Sequence, residues 1–271
     1  MPLCRRGSAD DLMIDAHTHL NDSRLFPQVD ELLARMRAAG LSGALVVGCD
    51  LASSRQAVEL ARRHPELRAT VGMHPHDSQY LDDSTLAALA QLAREPEVVA
   101  YGEIGLDFYY DNSPRDTQRE AFRRQLRLAR EVNLPIVIHE RAAAGEVMAI
   151  LDEEDGWARG GEWHCCSVEP ELAVKIAERL YLGIAGWITF PKADNIRALV
   201  RAVPLERLLL ETDAPYITPV PFRGKPNEPA YVRIIAQALA ELKGVSCGEV
   251  EKITDENVGR AFPRWKREEK E

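Results

Sequence analysis

Residues 12–40 read LMIDAHTHLNDSRLFPQVDELLARMRAAG. The first part, residues 12–17, is a short apolar run with a polar end, a pattern typical of a β-strand. Residues 27–39 show the apolar spacing of a helix, and Gly40 follows at the position where glycine commonly ends one. This stretch is therefore interpreted as a strand followed by a helix.

The same pattern recurs along the rest of the chain. Seven further short apolar runs are each followed by a segment with helical periodicity. These runs are residues 43–48, 68–73, 98–102, 136–139, 162–165, 182–185 and 207–211. Eight strand–helix units predict an α/β fold, a (β/α)8 TIM barrel, with residues 249–262 as an extra C-terminal helix. The main alternative is an open doubly wound sheet, but neither GxGxxG nor GxxxxGK[ST] occurs.

The length suits one such barrel. The chain has 271 residues, and no Gly/Ser-rich linker or change of composition divides it. We therefore expect one barrel domain over residues 12–263. Residues 1–11 are expected to form a disordered or extended segment, and residues 264–271 a charged tail.

Composition limits the possible functions. Hydrophobic residues make up 45% and charged residues 28%, as in an ordinary globular protein. The 34 basic and 43 acidic residues give a net charge of −9, so any contact with nucleic acid is expected to be local. No apolar run is long enough for a membrane span. The five cysteines are odd in number and include no CxxC pair, which favours a cytoplasmic location.

Potential metal ligands stand at the ends of the predicted strands. In a barrel of this type, catalytic residues come from the C-terminal ends of the strands. His17 and His19 are two residues apart, so both imidazoles face the same side of an extended chain. Four more apolar runs end near a ligand type, and these ligands are Glu103, His139, His164 and Asp213. Buried groups of this kind are costly unless they are paired or bind metal, so their convergence predicts a metal site.

Six ligands are enough for two divalent ions if one carboxylate bridges them. Glu103 can bridge with its two oxygens, and a two-metal site suits phosphodiester hydrolysis by an activated water. Asp213 can accept the proton of that water. Mixed nitrogen and oxygen ligands favour Zn²⁺, Mn²⁺, Co²⁺ or Ni²⁺ over Mg²⁺, although the availability of a metal can override this preference.

Several ordered motifs carry a family resemblance. They are His17-Thr18-His19, Gly72-Met73-His74-Pro75-His76, Gly102-Glu103-Ile104-Gly105-Leu106-Asp107, His139 with Arg141, His164-Cys165, Glu211-Thr212-Asp213-Ala214-Pro215-Tyr216 and Asn227-Glu228-Pro229. Together they resemble the TatD family of metal-dependent deoxyribonucleases, from about residue 13 to Phe262. The resemblance implies a TIM-barrel hydrolase of the amidohydrolase superfamily and a 3′-to-5′ exonuclease or DNase activity, with RNA as a further substrate.

The resemblance also implies individual roles. By it, His17, His19, Glu103 and Asp213 hold one ion, and Glu103, His139 and His164 hold the second. Asp213 is the base.

The chain departs from the family pattern in two places. HSRDA is replaced by residues 139–143, HERAA, so the usual carboxylate is missing at Ala142 and Glu140 appears nearby. HCFSG is replaced by residues 164–168, HCCSV, with Cys166 and Val168 in place of an aromatic residue and a glycine. These changes affect the expected substrate contacts rather than the ligands. The candidate substrate contacts are His74 and Arg141.

The sequence therefore predicts a metal-dependent hydrolase that cleaves phosphodiester bonds in DNA, acting at a single-stranded 3′ end. Two alternatives remain open. One is an amidohydrolase-like enzyme for a small amide, lactone or phosphoester, and the other is a non-catalytic metal-binding partner protein. The sequence predicts no oligomeric state.

Overall fold

The computed structural model of the chain describes residues 13–265. Eight strands occur in one sheet in the same order as in the sequence, and the pairs resolved between neighbours are parallel. The strands are β1 (Met13–Thr18), β2 (Leu41–Val46), β3 (Leu67–Val71), β4 (Val98–Asp107), β5 (Ile136–Arg141), β6 (Gly161–Trp163), β7 (Tyr181–Ile184) and β8 (Leu208–Leu210). The predicted TIM-barrel fold class is confirmed.

Helices alternate with these strands. They are α1 (Val29–Ala38), α2 (Leu51–Arg63), α3 (Asp83–Leu92), α4 (Arg115–Glu131), α5 (Ala144–Glu153), α6 (Pro170–Ala177), α7 (Asp194–Ala202), α8 (Val232–Lys243) and α9 (Cys247–Ala261). Helix α1 ends before Gly40, which has a φ of +84° as expected, and α9 is the predicted extra C-terminal helix. Within residues 13–265, no helix combines the length and hydrophobicity needed to cross a bilayer.

The chain divides into two compact units. The first unit comprises residues 13–46 together with His164–Asn257, and the second comprises Val47–Trp163 together with residues 258–265. The single-domain interpretation of residues 12–263 stays a prediction, and the predictions for residues 1–11 and 266–271 lie outside the described residues.

Strand β4 extends further than the sequence predicted. The expected end was Gly102, but the strand continues to Asp107, and all of its residues are buried. The extension from Ile104 to Asp107 pairs with β5, and the carboxylates of Glu103 and Asp107 both contact His139 of that strand. Gly105 permits this close pairing, since a Cβ at its position would collide with the His139 carbonyl oxygen.

The strands β6 and β8 are shorter than predicted. β6 ends at Trp163 and β8 at Leu210, so His164 and Glu211 stand just beyond the ladders instead of inside them. The backbone then turns sharply, with φ values of +46° at Cys165 and +54° at Asp213. Such left-handed residues outside glycine are uncommon and collect at functional sites.

Candidate metal centre

The first unit brings together four of the six predicted ligands. The Nε2 atoms of His17 and His19 are 3.3 Å apart, and His19 Nε2 stands 3.2 Å from Asp213 Oδ1. His164 Nε2 lies 3.8 Å from the same Asp213 oxygen, and its ring stacks on that of His17 with the centroids 3.6 Å apart. All four residues are buried. These residues are called the first-unit cluster.

The spacing of this cluster fits a divalent ion. Nitrogen and oxygen ligands that surround a tetrahedral ion at 2.0–2.1 Å stand about 3.3 Å from one another. The His17–His19 and His19–Asp213 separations of 3.3 and 3.2 Å agree with that value. An imidazole–imidazole–carboxylate set is the donor chemistry of Zn²⁺ and of several other divalent transition ions. The residues present therefore fit a divalent ion.

A carboxylate outside the cluster orients one of its histidines. Glu211 Oε2 stands 2.9 Å from His164 Nδ1, and Glu211 Oε1 accepts a hydrogen bond of 2.7 Å from the backbone N–H of Cys165. Burial raises the pKa of Glu211, but the charge and hydrogen bond of His164, together with His17 and the Cys165 N–H, lower it below its usual value, so the carboxylate stays ionised. An ionised carboxylate only accepts, so Nδ1 of His164 carries the proton and Nε2 is left to bind metal.

The Glu211 side chain occupies space left by a glycine. A Cβ on Gly183, in β7, would stand 2.6 Å from the carboxyl carbon of Glu211. The absence of a side chain at position 183 therefore permits Glu211 to reach His164.

A second buried acid supports the same segment. Asp15 Oδ1 accepts a hydrogen bond of 2.8 Å from the Thr212 N–H, and Asp15 Oδ2 accepts one of 2.5 Å from the Thr212 hydroxyl. Complete burial raises the pKa of Asp15 to about 8. The Asp213 N–H in turn donates to the His17 carbonyl at 2.9 Å. Backbone and side-chain bonds thus fix the Asp213 carboxylate beside the histidines of β1.

The second unit holds the other two predicted ligands. Glu103 Oε1 lies 2.7 Å from His139 Nδ1, and both side chains are largely buried. On the other side of the same ring, His139 Nε2 lies 3.3 Å from Asp107 Oδ2. Glu103, His139 and Asp107 are called the second-unit cluster.

Charges in the second-unit cluster set its protonation. Burial raises the pKa of Asp107, but hydrogen bonds from His139 and His76 more than offset this and hold the pKa far below its usual range. Burial lowers the pKa of His139, whereas its hydrogen bonds to Asp107 and Glu103 raise it to about 9. Asp107 therefore accepts the hydrogen of His139 Nε2, and Nδ1 is the nitrogen that faces Glu103.

His74 and His76 lie next to this cluster. His76 Nε2 stands 2.8 Å from Asp107 Oδ2, while the His76 backbone N–H donates to His74 Nδ1 at 3.1 Å. Because Nδ1 of His74 accepts, the neutral ring carries its proton on Nε2. That nitrogen lies 3.8 Å from Glu103 Oε1, and His74, Glu103 and His139 form a group whose donor atoms all lie within 4.8 Å of one another.

Arg141 lies at the end of β5 and is exposed. Its guanidinium carbon stands 4.3 Å from the centre of the Tyr109 ring and 4.7 Å from that of Tyr110. The neighbouring Glu140, which appears where the family pattern differs, uses Oε1 to accept a hydrogen bond of 2.7 Å from the Ala143 N–H before α5. Glu140 thus supplies a carboxylate that binds the backbone beside Ala142. Cys166 and Val168, the other departures, are buried.

Sequence reasoning assigned no role to three residues that shape the first unit. Glu211, Asp15 and Thr212 all stand in or beside quoted motifs, and all three are completely buried. Acids that interrupt or end an apolar strand were the available signal, because such groups need a partner. What the sequence did not show was which acid binds a histidine and which binds backbone.

Comparison with known proteins identifies the family. The family model for TatD-related DNases matches residues 14–263. The chain belongs to the TatD family. It is 40% identical over 252 residues to the uncharacterized metal-dependent hydrolase YabD of Bacillus subtilis, covering 93% of this chain and 99% of YabD. It is 38% identical over 256 residues to the 3′-5′ ssDNA/RNA exonuclease TatD of Escherichia fergusonii, covering 92% and 98%.

A solved structure agrees with this family assignment. The TatD homologue YjjV of Escherichia coli K12 superposes with a TM-score of 0.88 at 29% identity, covering 94% of this chain and 99% of YjjV. Membership in the TatD family makes the chain a metal-dependent hydrolase that acts on phosphodiester bonds, as the sequence predicted. The buried His, Asp and Glu clusters are its candidate sites for divalent metal.

Proposed function

We propose that this TatD-family chain is a 3′-to-5′ exonuclease that removes nucleotides from the end of single-stranded DNA. The observation that carries the proposal is the spacing of His17, His19 and Asp213, which matches the ligand shell of a divalent ion. The net charge of −9 agrees with contact at one strand end rather than along a duplex. The name of the Escherichia fergusonii relative gives the same activity on single strands.

We assign two divalent ions to the six predicted ligands. His17, His19, Glu103 and Asp213 would hold one ion, and Glu103, His139 and His164 would hold the second. Ions held by these residues would supply Lewis acidity, which lowers the pKa of a water and stabilises negative charge on phosphate oxygens. The mixed imidazole and carboxylate donors favour Zn²⁺, Mn²⁺, Co²⁺ or Ni²⁺ over Mg²⁺.

Asp213 is the proposed general base. Its backbone N–H donates to the His17 carbonyl, and its carboxylate Oδ1 lies 3.2 Å from His19 Nε2. Its side chain is 11% exposed, so part of the carboxylate is accessible to the attacking water. The base therefore takes the proton of the water that attacks phosphorus.

His74 and Arg141 are the proposed substrate contacts. The protonated Nε2 of His74 provides a donor for a phosphate oxygen or for the leaving oxygen. Arg141 has an exposed guanidinium, which suits bidentate contact with a phosphate. A cytoplasmic location also stays a prediction of the sequence.

The first experiment is a nuclease assay on the full-length chain. The chain is stripped with a chelator, resupplied with Mg²⁺, Mn²⁺ or Zn²⁺, and given single-stranded DNA, duplex DNA, RNA, and small esters and lactones. We expect release of mononucleotides from 3′-ended single strands, and little turnover of small esters. Turnover of esters or lactones without nucleotide release would instead support the amidohydrolase-like alternative.

Asp213→Ala is the matching variant. We expect it to lower nucleotide release by about 10²- to 10⁴-fold, the contribution of a positioned general base. Asp194→Ala serves as the control, because Asp194 is an aspartate whose side chain is 93% exposed at the start of α7. Circular dichroism checks that both variants fold. Absence of hydrolysis in the parent chain with every metal would favour the non-catalytic binding protein.

A further inference from the structure

We infer that Tyr109, Tyr110 and Arg141 form a nucleotide-binding platform, in which the tyrosine rings stack on a terminal base and Arg141 binds the adjoining phosphate. These three residues are called the tyrosine platform. The inference rests on the proposed function, because it assigns the base-binding part of the same substrate. The metal ligands account for hydrolysis, and the tyrosine platform accounts for the choice of a nucleotide strand as the substrate.

The two rings are exposed and yet held in place. Tyr109 is 63% exposed and Tyr110 is 53% exposed, and the ring planes stand at 88° with the centroids 4.9 Å apart. The backbone N–H groups of both residues donate to Asp107 Oδ1, at 3.0 and 2.9 Å. An aromatic pair that is more than half exposed and is anchored through its backbone offers ring surface for stacking without a large cost in conformational entropy on binding.

Arg141 differs from the arginines of the neighbouring helix α4. On that helix, Arg115, Arg119 and Arg127 each bind a carboxylate, at 2.7, 2.5 and 2.6 Å. Among the described residues 13–265, the Arg141 guanidinium has ring contacts with the two tyrosines and no carboxylate within salt-bridge distance. Its N–H groups are therefore available for the phosphate of a bound strand.

The nearby acids do not neutralise this charge. Asp111 binds Arg115 at 2.7 Å, and the Glu140 carboxylate accepts from the Ala143 N–H. A guanidinium beside exposed aromatic rings places a positive charge for a phosphate next to a surface on which a base can stack. The charge and the aromatic surface thus occur at the same place.

The tyrosine platform is connected to the second-unit cluster through one side chain. The Asp107 oxygen that does not hold the tyrosines, Oδ2, lies 2.8 Å from His76 Nε2 and 3.3 Å from His139 Nε2. The His76 ring also meets Tyr110 edge-on, with the centroids 5.6 Å apart. Asp107 therefore fixes both a candidate metal ligand and the base-stacking rings, which sets the distance from the base to the reacting phosphate.

The test compares a DNA strand that carries a base on its 3′-terminal nucleotide with a strand that lacks this base. Two single-stranded DNA oligonucleotides are identical except that one carries a 3′-terminal abasic nucleotide. For the metal-loaded full-length chain, we measure kcat/KM on both, and also the Kd for versions with a 3′-terminal phosphorothioate, by fluorescence anisotropy. We expect the parent chain to prefer the base-bearing strand by about 5- to 150-fold, the range for loss of one base–aromatic stack.

The variants separate the parts of the tyrosine platform. Tyr109→Ala with Tyr110→Ala should abolish the preference for the base, whereas Tyr109→Phe with Tyr110→Phe should retain it, since the ring faces remain. Tyr80→Ala removes a tyrosine that is 65% exposed elsewhere in the same unit and should leave the ratio unchanged. Arg141→Gln should weaken both strands equally and reduce the dependence of Kd on salt.

The outcomes distinguish this inference from the proposed function. If the parent chain hydrolyses both strands at equal rates and binds them equally, or the double alanine variant keeps the preference, the tyrosine platform is refuted and the exonuclease proposal stands. If no strand is hydrolysed with any metal while the base preference persists in the Kd values, the exonuclease proposal fails and the platform stands.

Discussion

The two ligand clusters of this chain differ in how their atoms are spaced. In the first-unit cluster, the Nε2 atoms of His17 and His19 stand 3.3 Å apart, close to the spacing around a tetrahedral ion. In the second-unit cluster, Glu103 and His139 form a direct contact of 2.7 Å, which is the length of a charge-assisted hydrogen bond. The first arrangement is ready for an ion, and the second must open before an ion can enter.

This difference indicates that the residue types of a metal site do not by themselves determine its affinity for the ion. Each cluster also contains a histidine held by a carboxylate, but through different nitrogens: Glu211 binds Nδ1 of His164, and Asp107 binds Nε2 of His139. The first cluster therefore presents Nε2 and the second presents Nδ1. We expect the ion assigned to His17, His19 and Asp213 to bind more tightly, because these ligand atoms already stand near the spacing of an ion's ligand shell.

The largest expected effect comes from the assigned bridge. Glu103→Gln removes one anionic oxygen, so we expect the number of bound ions to fall from two toward one or none, and nucleotide release to fall by at least about 100-fold. Metal analysis of the purified variant by mass spectrometry measures the first quantity. Two ions per chain in the variant would refute the bridging role.

Removing the orienting carboxylates tests the assignment of His139 and His164 to one ion. Glu211→Gln and Asp107→Asn should each weaken that ion by about 10- to 100-fold and leave the ion of His17, His19 and Asp213 largely unchanged. Calorimetric titration of the chelator-stripped chain with Mn²⁺ resolves the two steps. Glu153→Gln is the control, since this side chain is 55% exposed and pairs with Arg123. The assignment is contradicted if the two variants weaken different steps.

A smaller effect is expected from filling the space that Gly183 leaves for the Glu211 side chain. In Gly183→Ala, the new Cβ would meet the Glu211 carboxyl group, so we expect a loss of about 1–3 kcal/mol in the free energy of unfolding and weaker binding of the ion assigned to His139 and His164. Gly259→Ala in α9 meets nothing within 4 Å and should raise the free energy of unfolding by about 0.5–1 kcal/mol. Urea denaturation measures both. Equal effects from the two substitutions would contradict the assigned contact.

The smallest expected effect lies outside both clusters, at a buried acid that makes the free energy of unfolding depend on pH. Burial, and then the charge of Glu251, raises the pKa of Asp255 in α9 to about 7. The folded chain thus holds a proton that the unfolded chain has already lost, and stability from this group falls as pH rises from about 4 to 7. Asp255→Asn should therefore raise the free energy of unfolding at pH 8 by about 1–2 kcal/mol and leave it unchanged near pH 3.5. An equal gain at both pH values would contradict this assignment.

The sequence was most informative where a repeated pattern carried the signal. Apolar runs alternating with helical segments predicted the (β/α)8 fold and the first helix, which ends before Gly40. Family motifs predicted the ligand types, and the structure places His17, His19, His164 and Asp213 within one cluster. These features depend on the spacing of residues along the chain and on the position of the ligands at the C-terminal ends of strands.

The remaining features depend on contacts that spacing does not encode. The role of Glu211 requires an open space at Gly183, which lies 28 residues earlier in the chain. The choice of Nδ1 or Nε2 in each histidine depends on which carboxylate approaches which side of the ring. Likewise, the sequence does not show which groups the acids near Arg141 bind. Asp111 binds Arg115 and Glu140 binds the Ala143 N–H, so neither carboxylate pairs with Arg141.

The most direct measurement follows nucleotide release as metal is returned to the chelator-stripped full-length chain. Bound metal per chain and mononucleotides released from a 3′-ended single strand are recorded at each addition. The account predicts no release without metal, little release while only the first-unit cluster fills, and full release when two ions are bound. Full release at one ion per chain, or release that persists in excess chelator, would contradict it.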